Sequence, residues 1–212
     1  QPSSGSETFD WLGAALSTGV MLSFLLGLTG GPDYGWTNPV ILFAFCAFAA
    51  LVIAFVLWEL RTISPMMDVR LFKRKLFTLG VSANYLSFLG MSSVRFLMPF
   101  YLQAVLGLSP YQVGLMIVPG AVMMTIAGPL SGRLSDRFGV RPFAVGGMAI
   151  TMSSLLLLST LTPNSSVILP MIGMMLQSFG NGTFYAPNNS SVLSAVEQNK
   201  YGVISGFLNL VR

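Results

Sequence analysis

GRLSDRFGVRP, running from Gly132 to Pro142, is the stretch that decides how this chain is read. It holds three arginines and one aspartate, and it separates two uncharged apolar segments, residues 113–130 and 143–161. A helix needs about 20 apolar residues to cross the hydrocarbon core of a bilayer. Two such segments joined by a short basic connection read as a membrane hairpin whose turn stays on the cytoplasmic side, where Lys and Arg accumulate.

The same pattern repeats outward in both directions. Apolar segments occupy residues 11–28, 40–58, 76–101, 113–130, 143–161 and 167–186, and a seventh starts near Tyr201. Nine of the eleven Lys and Arg residues fall in every second gap: 59–75 (Arg61, Arg70, Lys73, Arg74, Lys75), 131–142 (Arg133, Arg137, Arg141) and 187–201 (Lys200). The alternate gaps, 29–39, 107–112 and 162–166, carry only Asp33. The expectation is an all-α integral membrane bundle with six complete spans and the start of another. Loops 59–75, 131–142 and 187–201 are expected in the cytoplasm, in a multi-pass protein of the plasma membrane. Trp11, Trp36, Trp58, Tyr101 and Tyr111 fall near the expected interfaces, where amphipathic rings prefer to sit.

Composition agrees. The chain is 53% hydrophobic and 8% charged, against about 25% charged for an ordinary soluble domain. Between Arg141 and Glu197 lie 55 residues without an Asp, Glu, Lys or Arg. The net charge of +4 is therefore a membrane-loop signature and not a nucleic-acid footprint. There is no His and one Cys, Cys46, inside an apolar segment. Disulfides, Cys/His metal sites and imidazole-based catalysis are excluded for this chain, and an enzyme is not expected. Both ends read as cut.

The third segment is too long for one upright span. Residues 76–106 would extend about 46 Å as a helix, so it must tilt, kink or project. Gly128 and Gly132 stand at small-xxx-small spacing, which lets helices approach closely.

Gly132, Leu134, Asp136, Arg137, Gly139 and Arg141 match the Gly-x-Leu-x-Asp-Arg-x-Gly-x-Arg/Lys loop of the major facilitator superfamily of secondary transporters, and the chain resembles that family. Gly139 suits a positive φ in a tight turn, and Pro142 suits the first turn of the next helix. Asp136 can pair with Arg133, Arg137 or Arg141, or accept from a helix N-terminus, which would make Gly132, Asp136, Arg137, Gly139 and Arg141 a conformational latch. The plainer reading is a solvated turn that fixes topology. Phe9-Asp10-Trp11-Leu12-Gly13, Gly35-Trp36, and the link from Glu59 through Pro65-Met66-Met67-Asp68 to Phe72 resemble the extra helix pair of the fourteen-helix drug:proton antiporters. Pro99-Phe100-Tyr101-Leu102-Gln103 and Gly107-Leu108-Ser109-Pro110 resemble the outer end of the following helix in that branch.

On that resemblance, residues 1–75 hold the central helix pair and a cytoplasmic linker, and residues 76–212 begin the C-terminal transporter half. The intact protein would export hydrophobic or cationic small molecules against protons by alternating access, with the proton gradient as energy source and no cofactor. Its partners would be the bilayer, a small-molecule substrate and the N-terminal half of the same chain, with the proton-carrying carboxylate in that half. Arg95, Asn84, Gln103, Gln177 and Asn181 are candidate pathway residues, with Asn188 as a further polar position. Arg95 would face the central cavity, binding an anionic group or pairing with a carboxylate of the other half, and the alternative is snorkelling to the interface. For the amides the alternative is helix-to-helix hydrogen bonding. A carrier for another solute (sugar, osmolyte, peptide or siderophore) and a non-transporting membrane scaffold are the rival functions.

Overall fold

The computed structural model describes residues 10–62, 69–196 and 201–210. Phe9, the linker residues Pro65, Met66, Met67 and Asp68, and Lys200 lie outside them. The described residues form seven α-helices: α1 Trp11–Tyr34, α2 Pro39–Arg61, α3 Lys75–Phe100, α4 Pro110–Phe138, α5 Val140–Ser159, α6 Ile168–Ser194 and α7 Tyr201–Leu210. Among the described residues there is no strand. Each helix outruns or shifts from its apolar segment, because backbone hydrogen bonding continues until a capping residue stops it. Among the described residues four helices, α1, α2, α4 and α5, are both long and apolar enough to cross a membrane. α3 and α6 match them in length but carry more polar side chains, of which Asn84, Ser87, Gln177, Asn181 and Asn188 are buried.

Two compact units divide between Lys73 and Arg74. In the first, α1 and α2 form an antiparallel hairpin. Gly35, at φ +86°, ends α1, and Asn38 caps α2 by accepting a hydrogen bond from the Val40 N–H at 2.9 Å. Asp10 works at the opposite end. One carboxylate oxygen accepts from the Gly13 N–H at 2.8 Å and from the Trp58 indole at 3.0 Å, so the α1 cap also ties down the last turns of α2. Glycines of α1 leave room for the partner's large side chains, Phe45 over Gly27 and Leu51 over Gly19. Arg70, in a 3₁₀ turn at Val69–Lys73, donates to the Leu60 carbonyl.

The second unit is built around α6, which packs against α3, α4 and α5. α4 runs parallel to α6: Gly120 lies beside Ser178, and Gly182 beside Ala127 and the Gly128 backbone. α5 runs antiparallel, with Gly147 crossing Gly180 and Phe184. The hand-offs place the start of α3, the α4–α5 junction and the end of α6 at one end of the unit. Arg74 confirms that arrangement by donating to the Ala195 carbonyl at 2.6 Å, a cation closing a helix C-terminus. At the other end Tyr101 donates to the Thr162 carbonyl.

Three details differ from the sequence reading. Residues 187–194 of the expected 187–201 loop are the last turns of α6, which runs on past Pro187 to Ser194. The basic 131–142 stretch is not a loop: α4 continues to Phe138 and α5 starts at Val140, so Gly139 alone, at φ +86° and ψ 157°, makes the turn. The overlong third segment stays helical through Pro99. α3 passes into a π turn at Tyr101–Val105 and stops at Gly107, φ +68°. Ser109 then opens α4 with a reciprocal cap to Gln112 and Pro110 in the first turn.

Candidate functional site

Two adjoining hollows open between α3, α4 and α6, and they share Met91, Arg95 and Met124. The first, of about 430 Å³, is also bounded by Met98, Thr125, Met174, Gln177 and Ser178. The second, of about 410 Å³, reaches Phe88, Gly128, Tyr185 and Asn189. Each falls within the size of a small-molecule site. Arg95 stands where they meet, exposed. Among the described residues nothing is bonded to its guanidinium.

The other candidate residues divide between the hollow and a seam. Gln177 lines the first hollow and donates to the Gly90 carbonyl at 3.0 Å. Asn84 and Asn181 are fully buried between α3 and α6, away from both hollows. Asn181 Oδ1 accepts from the Ser87 hydroxyl at 2.7 Å, Asn84 faces Asn189 at 3.4 Å, and Asn188 donates to the Gly80 carbonyl at 3.0 Å. Together with Gln177 these contacts form four antiparallel rungs along α3 and α6. Gln103 sits exposed on the π turn, outside both hollows. The methionines of the wall escaped sequence reading, although Met91, Arg95 and Met98 share one face of α3 at i, i+4, i+7 spacing.

The latch residues are not brought together. Asp136 and Arg141 are exposed, and Arg137 rests over the Phe138 ring at 5.4 Å. Among the described residues Asp136 makes no ion pair or hydrogen bond. Because α4 stays helical through Phe138, Asp136 and Arg137 are consecutive helix residues and point apart. Gly132 has room to spare, since a Cβ there would lie 3.8 Å from the Ala186 Cβ. The close approach expected of the Gly128/Gly132 pair is made instead by Gly182, whose added Cβ would come within 3.0 Å of the Met124 carbonyl oxygen.

A largely apolar hollow with one arginine, an α6 with buried amides and a single-residue α4–α5 junction meet a direct comparison: the Major Facilitator Superfamily profile matches residues 9–212. The chain belongs to the major facilitator superfamily. The relatives of this superfamily member include the MFS-type transporter YhcA of Bacillus subtilis (strain 168), 35% identical over 84% of this chain and 34% of its own length. The riboflavin transporter RibZ of Clostridioides difficile (strain 630) is 30% identical over 79% of the chain and 37% of its own length. The multidrug resistance protein Stp of Mycobacterium tuberculosis (strain ATCC 25618 / H37Rv) is 28% identical over 98% of the chain and 38% of its own length. The chain thus spans little more than a third of the length of these relatives. As a member of this superfamily, a family of transporters and not of enzymes, the chain is part of a multi-pass membrane protein.

Proposed function

We propose that these residues form the central helix pair and the first helices of the C-terminal half of a proton-coupled exporter of hydrophobic small molecules. The observation that carries the reading is the hollow between α3, α4 and α6, lined by Arg95, Gln177 and methionines. In superfamily carriers substrate sits near mid-membrane between two halves that rock around it. A half-formed cavity on one helix bundle is the wall such a site needs. Relatives named as multidrug or lincomycin resistance proteins, at 25–28% identity, favour export. The alternating charge pattern supports placing the Arg74, Arg137 and Arg141 end in the cytoplasm, in the plasma membrane. The motif charges around Asp136 would then pair in another state of the cycle. No carboxylate lines either hollow, so the proton carrier is assigned to the rest of the protein.

The test is transport by the full-length protein in proteoliposomes, with a lipophilic dye as cargo and an imposed pH gradient. Gradient-dependent dye movement that a protonophore abolishes is the expected result. Movement that ignores the proton gradient would replace the antiporter with a facilitator. RibZ carries the second reading, a carrier for a nutrient-sized solute, which the same vesicles separate by the direction of net movement.

A further inference from the structure

The cavity wall holds a positive charge that nothing on it balances. Arg95 reaches both hollows and is exposed there, without a bonded partner among the described residues. Neither hollow has an Asp, a Glu or a second cation in its lining. The rest of the wall around it is soft and apolar: Met91, Met98, Met124 and Met174, with Thr125 and Gln177 as neutral polar points. A guanidinium stays charged, offers five N–H donors in a fork and accepts nothing. Inside a membrane protein such a group faces a cavity and finds a partner, because leaving it unpaired in an apolar setting is costly.

The helix around Arg95 is also adapted. Pro99, four residues on, has no N–H to give the Arg95 carbonyl, and the π turn at Tyr101–Val105 follows directly. Helix irregularities of this kind gather at functional positions. The hollow therefore combines a fixed cation, a freed backbone acceptor beside it and a methionine surface that can adapt to bulky apolar shapes.

We infer that the cargo is an amphiphile with an anionic group, a carboxylate, sulfonate or phosphate, held by Arg95 while the methionine wall takes its hydrophobic body. This rests on the transporter reading, and it replaces the cationic cargo that the family resemblance implies. A cationic cargo would meet like charge in a site of low dielectric, where repulsion is stronger than in water. Arg95 acts as the specificity-determining residue: a bidentate fork selects planar or tetrahedral oxyanions over neutral isosteres.

Two xanthene dyes of similar skeleton, anionic fluorescein and cationic rhodamine 123, separate the possibilities. Binding to the intact full-length protein in nanodiscs is read by fluorescence polarisation, and movement is read separately in proteoliposomes. The wild type is expected to bind fluorescein at least about tenfold more tightly than rhodamine 123. Arg95→Gln should abolish that preference, Arg95→Lys should keep part of it, and Arg95→Glu should reverse it. Equal binding of the two dyes by the wild type overturns the inference. So does an unchanged preference in Arg95→Gln, which would mean that Arg95 snorkels or pairs with a carboxylate elsewhere in the protein. Anion-selective binding without movement of either dye would keep Arg95 as an anion site but sink the transporter reading and, with it, the role of the bound anion as cargo. Movement of both dyes at equal rates and equal affinities would do the reverse.

Discussion

A Cβ on Gly132 would make an ordinary 3.8 Å contact with Ala186, whereas Gly139 sits at φ +86° and ψ 157°, a region that only glycine occupies without strain. Both belong to one motif, yet the physics asks different things of them. Gly132→Ala should leave thermal stability unchanged or slightly raised, since alanine is the better helix former. Gly139→Ala should cost about 1–3 kcal/mol, visible as a lower midpoint in detergent melting. If Gly132→Ala melts normally but stops transport, its space is needed in another state of the cycle. If it melts early, α4 and α6 pack more tightly at Gly132 than a 3.8 Å contact with Ala186 allows. Gly180 is the stricter case. Its added Cβ would lie 2.8 Å from the Gly147 carbonyl oxygen and 2.6 Å from the Thr151 hydroxyl. Overpacking of that kind typically costs about 1–3 kcal/mol. Gly180→Ala is therefore expected to lower the midpoint more than Gly132→Ala by a clear margin.

At the scale of the helix, α6 shows what a single sequence can and cannot reveal. That residues 167–186 form a helix was legible from their length and their lack of charge, whereas its continuation past Pro187 to Ser194 was not. The role of each polar side chain was not, because a polar residue on a membrane helix can meet lipid, water or another helix, and only the neighbours decide. Asn84, Gln177 and Asn181 looked alike in the sequence. The structure sends two of them into the α3–α6 seam and one to the rim of the hollow. The motif residues Asp136 and Arg141 were legible as a pattern, but their separation in this state was not, since it depends on α4 remaining helical to Phe138. The seam itself is testable. Ser87 donates to Asn181 at 2.7 Å with both residues buried. Hydrogen bonds between membrane helices average about 0.6 kcal/mol and reach about 1.7. Ser87→Ala and Asn181→Ala should each destabilise the protein, and the double variant should lose less than the sum. Strict additivity in unfolding experiments would show that the two side chains do not interact.

For the molecule as a whole, polar side chains share the interior with apolar ones, and many large apolar side chains face outward. Asn84, Ser154 and Asn181 are fully buried, while Phe43, Leu79, Phe96, Val145 and Leu156 are largely exposed. Several buried polar groups bond one another or a backbone carbonyl, as Ser154 does with Gly173 at 2.7 Å, because lipid supplies no partners. Asn84 Oδ1 and Asn181 Nδ2 are buried without a hydrogen-bond partner among the described residues. The exposed apolar surface then requires hydrocarbon around it. This arrangement fixes which ends of the second unit share a face of the membrane, and that can be measured directly. Cys46 is exposed and is the chain's single cysteine, so a Cys46→Ser background is needed for labelling. In that background, and with any cysteines elsewhere in the full-length protein also replaced, Arg137→Cys and Ser194→Cys should react with a membrane-impermeant maleimide from the same side. Ser109→Cys and Asn164→Cys should react only from the opposite side. Sealed vesicles of known orientation would place the first pair inward if the basic gaps lie in the cytoplasm. Labelling of Arg137→Cys and Ser194→Cys from opposite sides would break the parallel pairing of α4 and α6. Labelling of both from outside would keep the fold but overturn the orientation drawn from the charges.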